Sequence, residues 1–112
     1  MTCKCGEFSD FFDELQGEVH RNAKEKGFWE DINIGEKIAL IHSELSEAVE
    51  AIRDGNPKSE KIPEYTCFEE ELADAVIRIM DLAEFKQLHL SAAIEAKILY
   101  NRGRPYKHNK EF

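Results

Sequence analysis

Residues 38–51 read IALIHSELSEAVEA. Apolar side chains recur at Ile38, Ile41, Leu45, Ala48, Val49 and Ile52, the 3.6-residue period of an amphipathic helix. On the helical wheel Glu44 falls at the edge of that apolar arc, beside Ile41 and Ala48, and Glu47 lies one step further out on the same side. The stretch 69–84, EEELADAVIRIMDLAE, repeats the arrangement with Glu71 and Asp74, again three residues apart. Two helices that each carry a carboxylate pair beside the core face can aim four acids at one space.

The rest of the chain reads as helices with punctuation. The first helix is expected from about Asp10 to Lys26, with Ser9 as N-cap and Gly27 as its stop. Its apolar side is Phe8, Phe11, Phe12, Leu15 and Val19, and residues 1–8 are expected to form a flexible N-terminus. Phe28 and Trp29 fall in a loop, as a core plug or as one wall of a pocket; the plug is the plainer reading. The second helix starts near Ile34, behind Asn33 and Glu36 in a capping-box-like pattern, and ends near Asp54 before Gly55-Asn56-Pro57. A polar surface loop follows to Tyr65. The third helix opens at Thr66 with Glu69 at the capping-box position and runs to about Gln87. The fourth starts between His89 and Ser91 and ends at Arg102, before Gly103 and Pro105; residues 105–112 form a short basic tail. No strand-like alternation of useful length occurs. The expected fold is all-α, a four-helix bundle-like single domain over residues 1–112.

Composition narrows the function classes. With 112 residues, 42% hydrophobic and 34% charged, the chain suits one helical domain with a real core. No apolar run is long enough to span a membrane, and the N-terminus has no apolar signal region, so a cytoplasmic protein without membrane attachment is expected. The net charge of −8 argues against a nucleic-acid duplex as partner. Residues 97–112 are locally basic, with five Lys or Arg against one acid, and can still meet a small polyanion. The three cysteines, Cys3, Cys5 and Cys67, read as free thiols; Cys3-x-Cys5 alone makes a poor zinc site and receives no role.

Acid spacing by itself is weak evidence. Six acid pairs stand three residues apart, close to what chance gives at this acidity, and most are solvated faces. Glu44, Glu47, Glu71 and Asp74 differ by bordering the most apolar parts of the two longest helices. Like charges one turn apart repel, and partial burial worsens this. A hard divalent cation, Mg²⁺ or Mn²⁺, is the natural remedy for an all-oxygen set. No histidine follows a Glu by three residues, which removes the di-iron bundle pattern, and Asp31-x-Asn33-x-Gly35 lacks the remaining ligands of an EF-hand. Without a Gly-rich phosphate loop, phosphate contacts must come from metal and basic side chains. Lys97, Tyr100, Asn101 and Arg104 share one helix face and supply candidates; a cationic helix C-terminus favourable to the macrodipole is the competing reading.

The segments ELSEAVEAIRDG, EEELADAVIRIMDLAE and KILYNRGRPYKH together resemble the MazG-like branch of the all-α nucleoside triphosphate pyrophosphohydrolases. The pattern is Glu44-x-x-Glu47, 23 intervening residues, Glu71-x-x-Asp74, and then Lys97-x-x-x-Asn101. The resemblance implies a MazG-type fold and hydrolysis of a (deoxy)nucleoside triphosphate to monophosphate and pyrophosphate. It implies Mg²⁺ on Glu44, Glu47, Glu71 and Asp74, substrate contacts from Lys97 and Asn101, and a homodimer or dimer of dimers. Tyr100 and Arg104 join the substrate set from the shared face, with Trp29 and His42 as weaker candidates for a nucleobase pocket. Glu47 is the candidate to orient or deprotonate the attacking water. The competing class is a catalytically inactive helical interaction module whose acids are solvated and whose apolar faces dimerise.

Overall fold

The computed structural model of the chain describes residues 5–112. Four helices follow one another, α1 (Cys5–Glu25), α2 (Ile34–Arg53), α3 (Cys67–Phe85) and α4 (Leu90–Arg102), and a single 3₁₀ turn spans Tyr106–Asn109. Among the described residues there is no strand, only an isolated bridge between Lys58 and Thr66. The molecule is an all-α single small domain. No described helix is long and apolar enough to cross a membrane. Cys3 lies outside the described residues.

The caps explain most boundaries. Asn33, extended at φ −140°, accepts the Glu36 amide at 3.0 Å and starts α2. Thr66 and Glu69 form a reciprocal capping box: the Glu69 amide reaches Thr66 Oγ1 at 3.2 Å, and the Thr66 amide reaches Glu69 Oε1 at 3.0 Å. α1 ends in a Schellman motif at Gly27 (φ +87°), with Gly27 N–H donating to Lys24 O and Phe28 N–H to Ala23 O. Gly55 (φ +83°) closes α2 the same way. α3 uses this stop without a glycine: Gln87 takes φ +55° while its N–H bonds Glu84 O and Leu88 N–H bonds Ala83 O. The helix therefore ends at Phe85, short of the expected Gln87.

The start of α1 departs from expectation. The helix begins at Cys5, so Gly6, Glu7 and Phe8 are helical rather than part of a flexible tail. The extra turn sets Phe8 one turn from Phe12, with ring centroids 5.5 Å apart, and places Glu7 in the first turn, where the helix dipole favours an acid. Ser9 is thus inside the helix and caps nothing; its hydroxyl donates to Glu95 on α4 at 3.4 Å.

Long-range bonds set the arrangement. The Phe68 amide meets Asn56 Oδ1 at one end of the α2–α3 pair, and Arg78 meets Glu44 further along, so the two helices run antiparallel. Gln16–Glu84 and His20–Asp81 pair α1 antiparallel to α3. Ser9–Glu95 and Asp13–Ser91 do the same for α1 and α4. α3 is thus flanked by α2 and α1, while α4 lies along α1. The core between them is small: Ala48 and Ala51 of α2 and Ala75, Met80 and Ala83 of α3 are buried, with Trp29 beside them. The loop before α3 is pinned rather than loose. Ser59 is buried, its hydroxyl accepts the Lys61 and Ile62 amides at 3.2 and 3.1 Å, and it donates to Glu70.

Candidate metal centre

Glu44, Glu47 and Glu71 bring carboxylate oxygens within 4.8 Å of one another across the α2–α3 seam. Glu70, Glu71 and Asp74 form an overlapping group at the same spacing, so Glu71 belongs to both. The small Ala48 and Ala75, each one residue past an acid pair, are buried at that seam and let the backbones approach. Aligned on Glu44 and Glu71, both helices read Glu-Leu-x-acid-Ala-Val-x-x-Ile, ending at Ile52 and Ile79. Equal local patterns on antiparallel helices therefore turn equal faces to one cleft.

The acids differ in surroundings. Glu44 is only 7% exposed. Its Oε1 accepts from Arg78 Nε at 2.9 Å, while its Oε2 is buried and unpartnered. Burial pushes the Glu44 carboxyl up, but hydrogen bonds from Arg78, Glu71 and Glu47 outweigh this and hold it below the usual range. Glu71 goes the other way. Burial, then the hydrogen bonds and charges of Glu47 and Glu44, push it up to about 8. Its Oε2 is also buried and unpartnered. Burial and then the charges of Glu44 and Glu70 raise Asp74, against the opposing pull of Lys61 and Arg78. Glu47 is the exposed member. Burial and crowded like charges thus favour a proton kept within the cluster, with Glu71 the member raised furthest. An oxygen-only donor set whose buried oxygens, Glu44 Oε2 and Glu71 Oε2, meet no donor other than a carboxyl proton shared within the cluster fits a hard cation such as Mg²⁺ or Mn²⁺.

The acids open into a cleft of about 630 Å³. Glu71, Asp74, Arg78 and Asp81 line it from one face of α3, a polar stripe running about 15 Å along the helix. Lys61 and Lys37 bring two further cations to its wall. Trp29 combines both readings of the aromatic loop: it plugs the core and lines the cleft. Its indole N–H donates to Asp81 Oδ1 at 2.9 Å, the oxygen that His20 Nδ1 meets at 2.7 Å. Phe85 stacks on the ring at 4.2 Å and 10°, and Lys37 Nζ sits 4.3 Å from the ring centroid. Trp29 is therefore held on every side, whereas Phe28, also in the cleft wall, is exposed.

The remaining sequence candidates fall elsewhere. His42 is exposed and lines no part of the cleft, because two residues before Glu44 on a helix is the far side. Lys97 and Arg104 flank Tyr100, with Lys97 Nζ and Arg104 Cζ 4.7 and 5.6 Å from its ring centroid, while Asn101 is half-buried with an unpartnered Oδ1. These four residues lie on α4 and just past its end at Arg102, outside the acid cleft. Arg78, Lys61, Lys37 and Asp81 were missed as site residues. Arg78 and Asp81 had a legible signal, a polar stripe at 71, 74, 78 and 81 through the otherwise apolar run 71–83. No protein-family model, curated protein or solved structure matches the chain.

Proposed function

We propose that the chain is a divalent-metal-dependent nucleoside triphosphate pyrophosphohydrolase that cleaves (deoxy)nucleoside triphosphates to monophosphate and pyrophosphate, cleaning the cytoplasmic nucleotide pool as a homo-oligomer. The observation that carries this reading is the convergence of Glu44, Glu47 and Glu71 within 4.8 Å in a cleft that also presents Arg78, Lys61 and Lys37. Acids for a cation beside bases for phosphate match a triphosphate–metal complex, and the MazG-like motif order points the same way.

Glu44, Glu47, Glu71 and Asp74 would hold Mg²⁺, with Mn²⁺ as a substitute. A cation bound there supplies charge neutralisation of phosphate oxygens and acidifies coordinated water. Arg78 fixes Glu44 through Oε1 and leaves Oε2 facing the cluster. Lys61 and Lys37 hold phosphate oxygens as point charges. Glu47, open to solvent, takes the proton from the attacking water as its oxygen bonds to phosphorus and the pyrophosphate oxygen leaves. Lys97, Tyr100, Asn101 and Arg104 contact substrate in this scheme only by reaching a cleft that they do not line within one chain.

A second reading, an inactive helical interaction module, is favoured by the exposed apolar faces of α2 and α3. A panel of canonical and modified nucleoside triphosphates with Mg²⁺, followed by detection of monophosphate and pyrophosphate, separates the two. Equimolar metal-dependent release of both products supports hydrolysis; no turnover of any nucleotide with Mg²⁺ or Mn²⁺ leaves the module.

A further inference from the structure

One polar side chain of the cleft is fixed more firmly than the proposed hydrolysis requires. Asp81 stands on the polar stripe of α3 two turns, about 10 Å, beyond Asp74 and away from the acid cluster. Its Oδ1 meets two ring nitrogens, His20 Nδ1 at 2.7 Å and Trp29 Nε1 at 2.9 Å. A carboxylate only accepts, so His20 carries a proton on Nδ1 and both rings donate. Both donors are held in turn: the Trp29 ring stacks on Phe85, and the His20 ring packs edge-on against Trp29 at 5.3 Å. Among the described residues these are the bonds Asp81 makes, and both fall on Oδ1. The carboxylate is thus clamped by one oxygen and keeps the other, Oδ2, open in a half-buried side chain of the cleft wall.

We propose that Asp81 sets the base preference of the cleft: its open oxygen accepts from an exocyclic amino group, so nucleotides of cytosine and adenine bind ahead of their oxo counterparts, those of uracil and hypoxanthine. The inference rests on the nucleotide reading above and adds its selectivity. Position argues for a base. With phosphates at the acid cluster, two turns along α3 is the reach of a sugar and base, and Phe28, Ile77 and Leu82 add apolar wall to the cleft. Chemistry argues for an amino group. Oδ2 can only accept, and the clamp on Oδ1 keeps the carboxylate from turning away. An oxo base sets a carbonyl oxygen against it, which leaves two acceptors facing each other without a proton between them. Trp29 acts through its edge: its ring is already engaged by Phe85 and Lys37, and it positions Asp81 rather than stacking on the base.

Calorimetric titration of the full chain with nucleoside 5′-monophosphates and Mg²⁺ tests it, with cytidine set against uridine and adenosine against inosine. In whichever pair binds more tightly, wild type is expected to favour the amino member by about tenfold or more in Kd. Asp81→Asn is expected to reverse that preference. Its Oδ1 keeps the two donors, His20 and Trp29, which turns the amide nitrogen into the cleft to donate to a carbonyl oxygen. Equal affinity for both members of the pair in wild type, no binding of any of the four, or an Asp81→Asn chain that keeps the wild-type preference overturns the inference. Should Asp81→Asn fail to fold, wild type decides with the dimethylamino analogue of the tighter amino member, which keeps the ring and loses its N–H donors. It is expected to bind no better than the oxo member, and affinity equal to that of the amino member overturns the inference. The turnover panel is read separately: selective binding without turnover refutes hydrolysis and leaves the assignment of Asp81, while turnover without selectivity does the reverse.

Discussion

The two flanks of the α2–α3 pair reverse the usual partition of side chains. On the cleft flank Glu44 is buried and Glu71 and Asp74 are partly covered, although carboxylates are among the residues least often found inside. On the opposite flank Leu45, Val49, Leu72 and Val76 stand in solvent. Both arrangements cost free energy in an isolated chain, the first through desolvated like charges and the second through unburied apolar area. The comparison teaches that one helix pair carries two unlike flanks, with acids drawn together on one and apolar side chains left in solvent on the other. Buried Ala48 and Ala75 separate the two flanks, so each can be tested without the other.

The largest expected effect is on activity. Glu71→Ala removes the carboxylate shared by both acid groups, and nucleotide turnover is expected to fall by at least about 100-fold, beyond what loss of a ligand's supporting contacts costs. Val76→Thr on the other flank, which keeps the branched shape, is expected to turn over nucleotide within about threefold of wild type under the same assay. Comparable losses from both would merge the two flanks into one site.

Stability with and without metal comes next. Glu47→Gln keeps the side-chain shape and removes one of the mutually repelling charges. Without metal it is expected to melt at or above wild type. A cation at a hundredfold excess over Kd stabilises the native state by about 2.7 kcal/mol, some 10 °C or more in Tm for a domain of this size. Wild type is expected to show a shift of that order with Mg²⁺ or Mn²⁺, and Glu47→Gln a much smaller one. Four melting curves measure this. Solvated acids predict no difference among them.

How far this was legible in advance differs between local and long-range features. The caps at Asn33 and Thr66 and the stops at Gly27 and Gly55 were readable because each is decided by residues within one turn. The stop near Gln87 was placed to within two residues, but its left-handed conformation was not legible, because nothing in the residue type announces one. The additional turn at Cys5–Phe8 was missed because the Ser9 cap signal competed with a Phe8–Phe12 pair that rewards a longer helix. At the site, the acid pairs were visible as spacing and apolar context. Arg78 stood in the same stripe, but its bond to Glu44 joins residues 34 positions apart. Lys61 was hidden more deeply, since only the buried Ser59 turn carries it to the cleft wall. Lys97 and Arg104 do meet Tyr100, while the direction of that surface depends on how α4 lies along α1, which no periodicity encodes.

pH sharpens the comparison further. Glu71 is raised to about 8 in the metal-free fold, above the ordinary carboxyl value of 4.5. Between those values the folded chain binds more protons than the unfolded one, so this group's contribution to stability falls as pH rises from about 4.5 toward 8 and is level above. Melting in chelator across that window is expected to show a decline for wild type that is flatter in Glu71→Gln. The smallest expected effect separates cations by place. Lys61→Ala, in the cleft wall, is expected to lower kcat/KM about tenfold, and Lys97→Ala by less. The reverse order would mean that α4 reaches the cleft in the working assembly.

The most direct test of the central claim, that the acid cluster is a cation site held protonated until a cation arrives, is calorimetric titration of Mn²⁺ or Mg²⁺ in buffers of different ionisation enthalpy near pH 7. The account predicts saturable binding with release of about one proton per cation in wild type, and weak binding with no proton release in Glu71→Gln. Absence of cation binding at millimolar metal, or equal proton release from the two proteins, would contradict it.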